Sequence, residues 1–287
     1  FQRSQDFVDA YEKILGPKTL AQGVLATAER VQDTEILAMD NHGYEKETIL
    51  EETATIYFLV NQSNIRTTES SDEDIKKLKT FAQLGYQTHS IEVNSYASPE
   101  GSVNTNDDVS ERRMKSTLSY TKRLLKKLRM DGAKNNELYT EISFGEDWNG
   151  FNKLMKSSEI KDKRRITKIV NSVVDLEKRE QAIRDMAEIY NAIESDVLPQ
   201  LRKAIITIRA YEPKRTDEEI AVLSTTTPEV LDVKELLFSA TLTDDAATKE
   251  SIYNKVVELH NDWRGYNNIA CMHLANGNLG EAMGSLN

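Results

Sequence analysis

Apolar and polar residues alternate along "HSIEVNSYA", residues 89–97, and again along "KAIITIRAY", residues 203–211. This is the period-two pattern of half-buried strands. "ATIYFLVNQSNI", from Ala54, and "ELYTEISFG", from Glu137, have the same character. Between the first two strands, "SSDEDIKKLKTFAQLG" predicts a helix with a Ser/Asp cap and a glycine stop, and a long charged helix is predicted from about Asn106 to Met130. Residues 148–202 carry Leu154, Ile166, Ile169, Val170, Val173, Ile183, Met186, Ile189, Tyr190 and Ile193 at helical intervals. The predicted order is β-α-β-α-β, a helical excursion, then β: an α+β sandwich with a helical insertion before its last strand. In that last strand Ala204, Ile206, Ile208 and Ala210 share one face, and Ile205, Thr207 and Arg209 the other.

The two ends have a different pattern. Phe7, Val8, Tyr11, Ile14 and Leu15 form a helical stripe stopped by Gly16-Pro17, "GVLATAERVQ" alternates loosely, and "DNHGYEKE" is a polar connector. Residues 1–52 are therefore taken as a lead-in, the tail of a β-rich region, and residues 53–213 as the sheet domain with its insertion at 148–202. After Pro213 only helical periodicity remains, so residues 214–287 form an all-α region. There Tyr266, Ile269, Ala270, His273, Ala282 and Leu286 have the spacing of a tetratricopeptide repeat, with Gly277 in the turn, and the stretch Val233 to His260 reads as an earlier, degenerate helical pair. Such stacks need about three repeats, so continuation past Asn287 is expected.

Composition narrows the function. The chain has 287 residues and a net charge of −10, from 37 Lys+Arg against 47 Asp+Glu. That balance argues against nucleic acid and anionic lipid as generic partners. "KDKRRITK", residues 161–168, stands out as the one basic cluster, and the mixed charge of "DLEKRE" after it reads as a solvated helical face. No apolar run is long enough to cross a bilayer, and Phe1 is not an initiator methionine; any anchor or export signal is expected upstream. Cys271 lies in an apolar helical stretch and reads as a buried, inert thiol.

Candidate chemistry is sparse. His42, His89, His260 and His273 lack metal-ligand spacing, and adjacent carboxylates such as Asp107-Asp108 diverge on a helix. No catalytic set, metal site or cofactor is expected. Trp148 and Phe151 open the insertion as packing anchors, while Trp263 and Tyr266 open the repeat, where an exposed aromatic side chain can hold a partner. The distinctive stretch is "SYASPEG", residues 95–101, a corner between a strand and a helix. In α/β sheets such corners present ligand sites, because loop backbone and helix N-terminus converge there. Pro99 fixes the corner and Gly101 permits a sharp reversal.

Past the corner, Asn106, Val109, Ser110, Glu111 and Arg113 reproduce "N..LSE.R", with Met114 where a small residue usually stands. On these residues the segment from 54 to 211 resembles the OmpA/MotB-like peptidoglycan-associating domain. With "YASPEG", "EDWNGF", "LPQLRKAIITI" and "NDWRGYNN", the chain looks like a Bacteroidetes envelope family that joins this domain to tetratricopeptide repeats. The resemblance implies a non-enzymatic protein on the periplasmic side of the outer membrane, a lipoprotein or otherwise held through an anchor or partner. It would bind the peptidoglycan stem peptide through its sheet domain and envelope proteins through its repeats. It also implies that Arg113 and the helix entry at Asn106 meet the carboxylate of diaminopimelate, and that a strand-end acid meets its ammonium. Ser98 stands where that acid belongs, and Glu100 supplies a carboxylate if Pro99 turns it inward. The alternative is an assembly or secretion scaffold whose OmpA-like domain has lost wall binding.

Overall fold

The computed structural model describes residues 37–286 apart from Gly101, and only the backbone of residues 187–189. The helix and loose strand expected before residue 37, and the reversal at Gly101, lie outside the described residues. The architecture is mixed α+β, with thirteen α-helices and one four-stranded sheet among the described residues. The chain divides into two compact units, 45–215 and 216–287, the second joined by residues up to Tyr44.

The sheet unit is built on β1 (Ile49–Tyr57), β2 (Thr88–Ala97), β3 (Tyr139–Glu146) and β4 (Lys203–Tyr211), in the order β1-β4-β2-β3. The last strand in sequence is thus central. It pairs antiparallel with β1 (Ile49↔Tyr211 to Tyr57↔Lys203) and with β2, while β2 and β3 run parallel. The first strand differs from the expectation at both ends, starting at Ile49 and stopping at Tyr57. Its pairing partner sets that length: at the far end the Phe58 N–H donates to the Arg202 carbonyl at 2.7 Å, and Asn61 then turns the chain with φ 55°.

Ala204, Ile206, Ile208 and Ala210 are each at most 1% exposed, whereas Ile205 and Arg209 on the other face remain partly exposed. The apolar face packs under α2 (Glu73–Ala82), which follows the short α1 (Thr67–Ser70), and under α3 (Val103–Leu128). Ile75, Leu78 and Leu125 from these helices meet Ile56, Ile91 and Ile206 from the strands. Asp72 caps α2 by accepting the Asp74 N–H at 3.0 Å. Ser102, not Asn106, caps α3, so this helix starts three residues earlier than its apolar spacing predicts. At its other end the Arg129 and Met130 N–H groups donate to the Lys126 and Leu125 carbonyls at 3.2 and 3.1 Å, with Arg129 left-handed at φ 56°. Those two bonds, with Met130 and Leu125 both in the core, form a Schellman stop.

The insertion is five helices, α4 (Trp148–Ser157), α5 (Lys163–Ser172), α6 (Leu176–Arg184), α7 (Ala187–Asp196) and α8 (Leu198–Leu201). They enclose their own core of Phe151, Met155, Ile166, Val170, Ile183, Ile193 and Leu201. Trp148 packs edge-on against Phe151 with centroids 5.6 Å apart, as its place at the head of the insertion predicts.

The helical unit comprises α9 (Asp217–Thr226), α10 (Val233–Ser239), α11 (Ala246–His260), α12 (Trp263–Ala275) and α13 (Leu279–Ser285). Ile220, Leu236, Leu237, Ile252, Val256 and Ile269 form its core. Gly277, at φ +76°, lies in the turn between α12 and α13. Residues 37–44, taken from sequence as part of the lead-in, lie along α12: the Asp40 N–H donates to Asn268 Oδ1 at 2.7 Å, Asn267 Nδ2 to the Ala38 carbonyl at 3.1 Å, and Tyr44 stacks on Phe238. Cys271 is buried there, and burial pushes its thiol pKa up.

Because β4 is central and Ile206 is fully buried, Ile206→Ala should cost about 2–5 kcal/mol of folding free energy by chemical denaturation. Ile142→Ala, on the exposed edge strand at 40% exposure, should cost under about 1 kcal/mol.

Candidate functional site

β2 and β3 are parallel neighbours, so the corner after Ala97 and the loop after Glu146 lie at the same end of the sheet. The Asp147 N–H donates to the Ala97 carbonyl at 3.0 Å, tying the two exits together. A bulge between Ser95/Ala97 and Ser143/Glu146 adds one residue on β3. Gly145 sits in it at φ +64°, and a Cβ there would lie 2.3 Å from Asp107 Oδ1. Only glycine fits.

The motif residues of α3, apart from Glu111, lie on its buried face. Asn106, Val109, Ser110, Arg113, Met114, Thr117, Thr121 and Leu125 are all buried, at three- and four-residue intervals. Ser110 is the rivet: its carbonyl accepts Ser95 Oγ at 2.6 Å, and its hydroxyl lies 2.5 Å from Ser143 Oγ and accepts the Gly145 N–H at 3.2 Å. Glu111 points outward and pairs with Lys115 at 2.5 Å.

Arg113, expected to face a ligand carboxylate, is 1% exposed. Its Nε donates to the Gln62 carbonyl at 3.0 Å, Nη1 to that of Tyr96 at 2.9 Å and Nη2 to that of Leu59 at 3.1 Å. The guanidinium also lies 5.3 Å from the centre of the Phe58 ring. Burial lowers its pKa to about 10, the Arg202 cation acting in the same direction and Glu100 in the opposite one. It therefore stays charged at neutral pH. Arg112, its neighbour, points to solvent and pairs with Asp108 at 3.1 Å.

Pro99 does turn Glu100 inward, but toward Arg202. Arg202 Nε and Nη2 donate to the two Glu100 carboxylate oxygens at 2.8 and 2.7 Å, a bidentate pair whose side chains are 8% and 14% exposed. Ser98, 2% exposed, donates to Glu100 Oε1 at 2.8 Å and accepts from Arg202 Nε at 3.3 Å. Asn106, 4% exposed, is not at the helix entry: its N–H donates to the Ser102 carbonyl at 3.0 Å and its Nδ2 to Glu146 Oε1 at 2.8 Å. The insertion closes over the corner from outside. Arg184 Nη2 donates to the Glu100 carbonyl and also meets Glu180, whose carboxyl pKa burial raises against the pull of Arg184.

All four corner residues named from sequence thus come together, and all are engaged by the chain itself. The missed members are Arg202, Glu146 and Arg184. Arg202 lies inside the quoted "LPQLRKAIITI", but no local pattern ties it to a residue 102 positions earlier. In the helical unit, Trp263 is 63% exposed, and Tyr266 is held by a bond from its hydroxyl to Asn261 Oδ1 at 3.1 Å. No group of three or more His, Cys, Asp or Glu side chains able to hold a metal ion is present among the described residues. No protein-family model matches the chain, and no curated protein matches it.

Removing the Arg113 guanidinium takes a charged donor from three carbonyls, of which that of Leu59 keeps the Gln62 N–H at 3.1 Å. Arg113→Ala should therefore destabilise the sheet unit by about 3–5 kcal/mol in urea unfolding. Arg112→Ala should stay within about 0.5 kcal/mol of wild type.

Proposed function

We propose that this chain is a non-enzymatic scaffold of the bacterial cell envelope, with an OmpA-like sheet domain that has lost wall binding and a tetratricopeptide-like helical region that holds protein partners. The resemblance of residues 54–211 carries the envelope location and the domain type. The observation that carries the loss of wall binding is the internal satisfaction of the corner. A wall-peptide carboxylate needs an accessible guanidinium, whereas Arg113 is 1% exposed and directs an N–H from each of its three nitrogens at a backbone carbonyl. An ammonium needs an uncompensated carboxylate, whereas Glu100 is held by Arg202 and Ser98 is a neutral hydroxyl. Displacing either set exposes a buried ion, at a cost of several kcal/mol.

In this reading the corner is a joint that locks sheet, helix and insertion together. Partner contact falls to the helical unit, where Trp263 offers a large, rigid and exposed aromatic surface at the start of a helix. Membrane association then comes only through an anchor or a partner. No helix among the described residues is long and apolar enough to cross a membrane.

Sedimentation with purified diaminopimelate-type peptidoglycan tests this. Wild type and Ser98→Asp should both stay in the supernatant. Ser98→Asp should also unfold at lower urea, because a second carboxylate would be buried beside Glu100. Retention on the wall polymer, strengthened by Ser98→Asp, would instead establish the wall-linking function.

A further inference from the structure

The two ends of α3 treat their charges in opposite ways. Toward the N-terminus, cations are matched one turn apart, Arg112 with Asp108 and Lys115 with Glu111. From Lys122 to Lys134 the sequence instead holds six cations (Lys122, Arg123, Lys126, Lys127, Arg129, Lys134) against one carboxylate, Asp131. That residue is exposed, and its carboxylate accepts the first N–H of β2, from Thr88, at 3.1 Å. Lys122 donates to Asn136 Oδ1 at 3.1 Å and lies over the Tyr139 ring. The other five are exposed, and none makes an ion pair among the described residues. "KDKRRITK" in the insertion is a second basic stretch, in which Lys163 is tied to the Ser158 carbonyl; what sets the cations after Lys122 apart is the cavity that three of them line. In a chain of net charge −10 with 47 carboxylates available, five unmatched cations at one place call for a cause.

The end of the helix accounts for part of it. A helix C-terminus carries about half a negative charge, which one last-turn cation offsets. Lys126 and Lys127 already exceed that, and Lys134 lies beyond the helix. Arg129 occupies the left-handed stop position at φ 56°, where glycine is the ordinary, strain-free residue. The cations also surround a shape: an open cavity of about 700 Å³, lined by three cations, Lys126, Arg129 and Lys134, against one carboxylate, Asp131, with the rest of the turn Met130–Asn135. Gly132 keeps that turn folded back against the helix end; at φ +67°, a Cβ would lie 2.6 Å from Leu138 Cδ1.

We propose that this cavity is a binding site for a multivalent oxyanion of the phosphate-ester class, gripped by Lys126, Arg129 and Lys134, with Arg123 and Lys127 raising the local potential. Three cations lining one cavity suit closely spaced phosphate charges better than a single carboxylate, and Arg129 adds a fork of paired donors to two ammonium groups. The volume is that of a small-ligand pocket. The site lies at the end of α3 opposite the corner, about 39 Å along a helix of 26 residues, so the proposal stands whether or not the corner binds wall peptide.

The test is calorimetric titration of the full chain with inorganic pyrophosphate, alongside flotation with vesicles containing phosphatidic acid or phosphatidylcholine alone. The expected result is pyrophosphate binding that weakens several-fold between 50 and 200 mM salt, roughly the behaviour of a few screened contacts. Lys126→Glu with Lys134→Glu should weaken it at least about tenfold, and Lys115→Glu should leave it unchanged. Arg129→Gly should raise the melting temperature while lowering affinity, a split that a purely structural arginine would not produce. Flotation with phosphatidic acid alone, abolished by the same double substitution, supports the site with a lipid headgroup as the source, and pyrophosphate binding without flotation supports a soluble ligand. Binding to neither probe, or binding that survives Lys126→Glu with Lys134→Glu, overturns the proposal.

Discussion

The sheet unit depends on one buried cation. Arg113 reaches from the middle of α3 to carbonyls at the end of β2 and in the loop after β1, and so fixes three chain segments that no strand pairing joins at that point. Taking a guanidinium out of water costs several kcal/mol, and charge-assisted hydrogen bonds return about 1.5–3 kcal/mol each. The two nearly cancel, so the contribution of Arg113 is to specify one arrangement more than to add net stability. A pKa of about 10 keeps the donors charged across the physiological range, which such bonds require.

An ion pair continues the same logic outward. Glu100 bridges the corner to Arg202, the residue at which the chain leaves the insertion and enters β4. Arg184, from α6, then adds a contact to the Glu100 carbonyl. The central strand comes last in sequence, after 56 residues of insertion and linker following β3, and these contacts are where its arrival is registered at the corner. The corner thus closes the fold, with Glu100, Arg202 and Arg184 engaged by the chain itself.

How much of this was legible in the sequence follows from which side chains carry period. β2 and β4 alternate apolar with polar, and α2 and the insertion place apolar residues every three or four positions, so their existence and type could be read directly. The buried face of α3 is different, because Asn106, Ser110, Arg113, Thr117 and Thr121 are polar. Apolar periodicity is silent about such a face, so the helix start is expected three residues late, and nothing in the pattern shows that Arg113 ends on backbone carbonyls. Asn106, Val109, Ser110 and Arg113 share a spacing because they are the inward stripe of the helix. The Glu100–Arg202 pair spans 102 positions without a local signal, and the unmatched cations after Lys122 are spread over two helical turns and a bend, never as a contiguous run.

The central claim is that the Arg113 guanidinium is sealed inside the protein and bonded to its backbone. Solvent exchange of the arginine Nε–H groups, read by NMR on the full chain with ¹⁵N-labelled arginine, tests it most directly. The Arg113 signal should exchange far more slowly than that of Arg112 and should not move when diaminopimelate-containing stem peptide is added. Exchange as fast as at Arg112, or a shift of the Arg113 signal on addition of the peptide, would contradict the account.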